Sequence, residues 1–147
     1  MKITGKIISK QSIITGLFFI TYFLYFSIFN KYHLVYLEDM QLFRFDWYYF
    51  LSILAKPGGI SEYSGIFLTQ FFLNSVTGAF IVTWAGIVTY ALTDLILRKY
   101  RISGMLWSFF PVLLQLALQS DHLYKFWYSI AILFTLSFIA IYISIKN

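Results

Sequence analysis

The chain has 147 residues, of which 60% are hydrophobic and 12% charged, with a mean hydropathy of +0.75. A soluble domain carries about 25% charged residues, so this density cannot solvate a surface but can line a bilayer. No cysteine is present, which excludes disulfides and thiolate chemistry, and the net charge of +5 falls in no basic run with interleaved aromatics, which argues for lipid contact and against nucleic acid.

Lys2, Lys6 and Lys10 precede an apolar run over Ser12–Phe29. Eighteen residues rise about 27 Å as a helix, close to the hydrocarbon thickness. The run is long, aromatic-rich and without a small-x-small cleavage site, so it predicts an uncleaved signal anchor with the N-terminus in the cytoplasm.

The polar stretch from Asn30 to about Ser61, with the residue after it, holds Glu38, Asp39, Asp46 and Glu62, four of the six acidic residues. Tyr36, Met40, Phe43, Trp47, Phe50, Leu51 and Leu54 recur in it at helical spacing. That stripe predicts an amphipathic helix lying along the interface with its aromatics in the membrane. Lys56-Pro57-Gly58-Gly59 should end it, because proline disfavours helix before it and glycines permit a tight reversal.

From Tyr63 to Leu97 the chain is apolar for 35 residues, roughly 52 Å as one helix and too long for a simple span. Asn74-Ser75-Val76-Thr77-Gly78 is the natural break. It divides a shoulder helix over Tyr63–Leu73 from a second span over Gly78–Leu97. Arg98, Lys99 and Arg101 follow, and Asp94 sits one turn before Arg98 as a local i,i+4 partner. Ser103–Ser120 reads as a third span with Pro111 inside it, tolerated where neighbouring helices satisfy the freed carbonyl. Asp121-His122-Leu123-Tyr124-Lys125 forms a short outer loop, and Phe126–Ile145 is a fourth span. Seven of the eleven basic residues fall in the segments expected inside, and five of the six acidic residues outside.

Two sets of side chains could carry chemistry. Glu38, Asp39, Gln41 and Asp46 follow the first span, and Asp121 with His122 follows the third, so both are expected at one membrane face. Carboxylates gathered there can bind a divalent cation or act as general base, and histidine can join either task. The candidates are Glu38, Asp39 and Asp121 for catalysis, and the same three with His122 for a metal. The plainer structural reading makes them the solvated side of an amphipathic helix and a polar turn. Gln115 and Gln119, one turn apart with Ser108 further back, form a polar strip whose first use is hydrogen bonding between helices. Ala79, Thr83, Gly86 and Thr93 form a small-residue face for close packing. Phosphate-loop, zinc-protease and nucleophile-elbow motifs are absent.

The run Tyr36-Leu37-Glu38-Asp39-Met40-Gln41-Leu42-Phe43, then Pro57-Gly58-Gly59-Ile60-Ser61-Glu62-Tyr63, then Gln70-Phe71-Phe72, with Asp121 and Tyr124 further on, resembles the N-terminal membrane region of an uncharacterised family of Bacteroidetes-type bacteria, a domain of unknown function. The resemblance implies a membrane location and no reaction. The layout is also similar to that of multi-pass glycosyltransferases of lipid-linked sugars. By that likeness Glu38 or Asp39 would be the first acidic group of the outer face and Asp121 the second.

The expected fold is thus all-α: one transmembrane domain over residues 1–147, with four transmembrane helices (12–29, 78–97, 103–120, 126–145) and an outer interfacial helix within 30–77. The expected setting is a bacterial inner membrane with both termini cytoplasmic, and the expected partners are the lipid bilayer and other membrane subunits. The leading functional expectation is a membrane subunit or scaffold. The alternative is a module handling lipid-linked substrates, with a divalent cation held by the outer acidic residues.

Overall fold

The computed structural model describes residues 10–102 and 104–145, and among these every regular element is helical. Lys2, Lys6, Ser103, Lys146 and Asn147 lie outside the described residues. The order is α1 (Lys10–Leu24), a π-helical turn (Tyr25–Phe29), α2 (Lys31–Asp39), α3 (Trp47–Leu54), α4 (Gly59–Thr69), a 3-10 turn (Gln70–Leu73), α5 (Ser75–Lys99), α6 (Met105–Gln119) and α7 (Trp127–Ile145).

Three segments are long and apolar enough to cross a membrane: Ser12–Phe29, Ser75–Lys99 and Trp127–Ile145. They match the expected first, second and fourth spans to within a few residues. The expected third span is α6, and here the expectation of four equivalent spans needs correcting. α6 has 15 residues, about 22 Å, against a hydrocarbon core of about 30 Å. Its ends are set by the Gly104 backbone at one side and by the turn at Ser120 and Asp121 at the other.

α5 is the centre of the molecule and packs against α1, α2, α6 and α7, whereas α6 and α7 make little contact with each other. Its start is local chemistry: Asn74 is extended and its side chain accepts from the Val76 N–H at 3.0 Å, an N-cap that separates α5 from the 3-10 turn. Gly78, Ala79, Thr83, Gly86, Thr89 and Thr93 are all buried along α5, so the small-residue face does serve close packing. Into it fit Tyr22, Phe26, Leu34, Phe72, Val112 and Phe126, each at most 2% exposed. The ring of Tyr22 lies 3.5 Å from where a Cβ on Gly86 would stand.

The single amphipathic helix expected over Tyr36 to Leu54 is not formed. The chain is helical to Asp39, non-helical over Gln41–Asp46, and helical again from Trp47. Tertiary contacts override the helical spacing. The Gln70 amide donates to the Gln41 carbonyl at 2.6 Å, and Phe43 turns inward against Tyr63 (5.0 Å between ring centroids) and Phe67 (5.4 Å). A carbonyl captured this way is lost to the helix ladder, and three rings in edge contact outweigh a weak local propensity.

α3 and α4 therefore form a tight helical hairpin, with Phe50 against Tyr63 and the reversal at Lys56-Pro57-Gly58-Gly59. Gly58 adopts φ +76°, and a Cβ on Gly59 would strike the Ile53 carbonyl oxygen, so both positions require glycine. The hairpin lies alongside α7 and not across its end. Gly65 abuts the backbone of Trp127, and Gly58, Gly59 and Ser61 share a groove with Phe134 and Phe138. Those two rings are seven and eleven residues into the 19-residue α7, about 10 and 16 Å below Trp127. The hairpin tip thus sits opposite the middle of α7.

A Cβ on Gly65 would overlap the Cα and Cβ of Trp127, whereas one on Gly16 meets nothing within 4 Å. Gly65→Ala is expected to cost about 1–3 kcal/mol by forcing α4 off α7. Gly16→Ala should cost nothing, since alanine is the better helix former. Thermal unfolding in detergent micelles compares the two, and equal midpoints would refute the close α4–α7 contact.

Candidate functional site

A cluster of polar side chains in this apolar body lies at the end of the bundle that carries the α6–α7 loop. α1 supplies Tyr22, α6 supplies Gln119, α7 supplies Ser129 and the loop supplies Tyr124. The Tyr22 hydroxyl donates to Gln119 Oε1 at 2.5 Å, and Gln119 Nε2 donates to Ser129 Oγ at 2.8 Å. The hydroxyls of Ser129 and Tyr124 are 3.2 Å apart. One turn along α6, Gln115 Oε1 accepts from Thr89 at 2.8 Å. Both glutamines are nearly inaccessible, and the polar strip of α6 serves hydrogen bonding between helices, the first use expected of it.

Over this network lies His33 of α2. It is 3% exposed, and its ring has the Gln119 backbone as its one hydrogen-bonding neighbour, in a geometry too poor to satisfy either nitrogen fully. Its ring stacks obliquely on that of the exposed His122, 5.0 Å between centroids. Burial holds the His33 imidazolium pKa below its ordinary value, and the neighbouring His122 adds to this. The Gln119 backbone and Asp121 act in the opposite direction. Burial also raises the Tyr124 phenol, which keeps its hydroxyl protonated as a hydrogen-bonding group. A cavity of about 10 Å³ adjoins Gln119 and Tyr124, room for one water molecule.

The residues singled out in the sequence are placed as follows. Asp121 is exposed and its side chain accepts from the Leu123 N–H at 3.0 Å, the geometry of a polar turn. His122 meets His33. Glu38 is half-buried and Asp39 exposed at the end of α2. Asp46 precedes α3 in extended conformation beside Phe45, Trp47 and Tyr63. Among the described residues no three His, Asp or Glu side chains come together as a metal-binding group. Asp94 pairs with Arg98 at 2.7 Å, as its spacing indicated, and also accepts from Ser108 at 3.2 Å.

Sequence reading passed over Tyr22, His33 and Ser129. Tyr22 had a usable signal: a phenol inside an apolar span must find a partner when buried. His33 had none, because its burial follows from α2 folding back onto α5.

Two predictions follow from this geometry. Gln119→Leu leaves the Tyr22 and Ser129 hydroxyls without their amide and should cost about 1–3 kcal/mol, read as a lowered unfolding midpoint in micelles. For pH the sign comes from His33. The unfolded chain binds its proton near the ordinary value of about 6.5 and the folded chain only at lower pH. Stability is therefore complete above about pH 6.5 and falls as the pH drops below it, towards the depressed folded pKa. His33→Leu should flatten that part of the profile, and an unchanged slope would remove His33 as its cause.

Comparison with known proteins adds a location in sequence space and no reaction. No curated protein and no solved structure matches the chain. A family model does match, and it covers residues 6–147, from the basic stretch before α1 through the end of α7. The resemblance seen in the segments around Gln41, Gly58 and Gln70 is thereby accounted for: the chain belongs to the family of unknown function DUF6057.

Proposed function

We propose that this chain is an integral membrane subunit, a scaffold that holds a partner protein within the bilayer. In this reading α1, α5 and α7 span, the shorter α6 also crosses from the Arg98 side to the Asp121 side, and the α3–α4 hairpin enters the membrane and returns on the same side. The setting is a bacterial inner membrane with both termini cytoplasmic, a placement supported by the excess of basic residues beside the ends of the spans away from Asp121.

The observation that carries the reading is the tip of the hairpin. Lys56 pairs loosely with Glu62 at 3.8 Å, its side chain is 60% exposed, and it faces outward opposite the middle of α7. A lysine at mid-bilayer costs about 2.5–3.5 kcal/mol even on insertion scales. Irregular backbone at that depth persists only where protein or a water-filled cavity covers it. Phe134 and Phe138 leave a groove of about 390 Å³ beside the tip, and a second protein seated there would cover both the charge and the turn. The enzyme-module alternative would need Glu38 or Asp39 gathered with Asp121, and no observation favours that.

Because the chain has no cysteine, single-cysteine labelling needs no background removal. Asp121→Cys should react readily with a membrane-impermeant maleimide from one side. Lys56→Cys should stay protected in intact native membranes and become reactive once detergent separates the subunits. A photocrosslinker at Phe138 should give one discrete adduct. If Lys56→Cys reacts as fast as Asp121→Cys in membranes, the tip is in open water, nothing needs to cover it, and the subunit reading loses its support.

A further inference from the structure

A polar seam runs through the apolar interior from one end of the bundle to the other. At the loop end the exposed His122 lies against the buried His33. Gln119 follows, bonded to Tyr22 and Ser129. One turn along α6 is Gln115, bonded to Thr89 of α5. One turn along α5 from Thr89 is the buried Thr93, followed by the half-buried Asp94, which holds Ser108 and pairs with Arg98. The Arg98 side chain is 73% exposed at the far end.

This seam is incompletely satisfied. Gln115 Nε2 and Thr93 Oγ1 have no hydrogen-bond partner, and the His33 ring has only the Gln119 backbone beside it, which leaves at least one nitrogen open; each belongs to a side chain more than nine-tenths buried. An orphaned buried polar atom costs about 1–3 kcal/mol, and in folded proteins ordered water normally fills that role. The orphans here are spread along the seam and not clustered. Polar groups one helical turn apart are separated by about 5.4 Å, a gap that a single bridging water closes.

We infer that the seam is a water-bridged proton path joining the two ends of the bundle, with His122 and His33 exchanging protons at one end and Asp94 at the other. A proton bound by His122 passes to the adjacent His33 imidazole. From there it moves along waters hydrogen-bonded to Gln119, Gln115 and Thr93 to the Asp94 carboxylate, and leaves to water beside Arg98. Each imidazole and each water releases one proton for each it receives, so one proton crosses and no residue is altered. The amides and hydroxyls hold and orient the waters and are positioning groups. The other titratable side chains along the path are Asp121 and Tyr124 at the loop end, Tyr22 within it and Arg98 at its exit.

The seam is built wholly from this chain, so the purified chain alone must conduct, and the result is independent of the partner proposed for the hairpin. The test uses vesicles of phosphatidylethanolamine and phosphatidylglycerol with a pH dye inside and a potassium diffusion potential set by valinomycin. The expected result is internal acidification several-fold faster than in protein-free vesicles. Thr93→Val, which keeps the shape of the side chain, and Gln115→Leu should each remove most of that increase. Asp46→Asn, away from the seam, should leave it unchanged. A wild-type rate equal to that of protein-free vesicles overturns the inference. So does wild-type conduction in either seam variant once its unfolding midpoint shows that it is folded.

Discussion

An apolar helix gains little by exchanging lipid for another apolar helix, because lipid tails are as oily as leucine. A bundle of this composition must therefore be held by close backbone approach and by hydrogen bonds between helices. α5 meets that constraint with a face of glycine, alanine and threonine, and the other elements gather on it. Tyr22 settles against Gly86, and Phe72 and Leu34 settle against Gly78. Where α6 and α1 close over this face, Gln119 and Gln115 reach across to Tyr22, Ser129 and Thr89.

The same constraint explains why the hairpin is an unusual element. α3 and α4 together are too short to cross and return fully, yet they lie against α7 as far as its middle. The contact depends on Gly65, which lets the α4 backbone touch the backbone of Trp127, and on Gly58 and Gly59, which allow the reversal in so little space. An aromatic cluster of Phe43, Phe50, Tyr63 and Phe67 seals the hairpin on its other side. What it presents outward opposite the middle of α7 is a lysine and a turn. The hairpin and the polar seam are thus separate consequences of one fold, the first on the outer surface and the second inside.

Burial of polar groups in this bundle has two faces. A group such as Gln119, whose amide oxygen and nitrogen both find side-chain partners, rigidifies the packing and makes α6 specific for its place. A group left with an open valence, such as Gln115 or His33, calls for water and so introduces a hydrated element into the interior. Both kinds occur on the same strip of α6, one turn apart, which ties the stability of the bundle to the hydration of its seam.

Composition and periodicity alone determined that the chain is helical and carries apolar helices long enough to cross a membrane. Apolar run lengths located α1, α5 and α7, because a span is a property of consecutive residues. The break beginning at Asn74, the Gly58 turn and the Asp94–Arg98 pair were legible for the same reason, since each is completed within a few residues. The small face of α5 and the glutamines of α6 could be assigned to packing, though not to particular partners. Only the tertiary structure decided that Tyr36 to Leu54 breaks at Gln41, because the Gln70 amide and the Tyr63 and Phe67 rings that break it are more than twenty residues away in most pairings. It alone placed the hairpin along α7, because no local pattern in α3 or α4 specifies which helix they pack on. It alone buried His33 against His122 while leaving Asp39 and Asp121 in solvent. Periodicity specifies which face of a helix is apolar, but the depth and neighbours of that face depend on contacts between residues far apart in the chain.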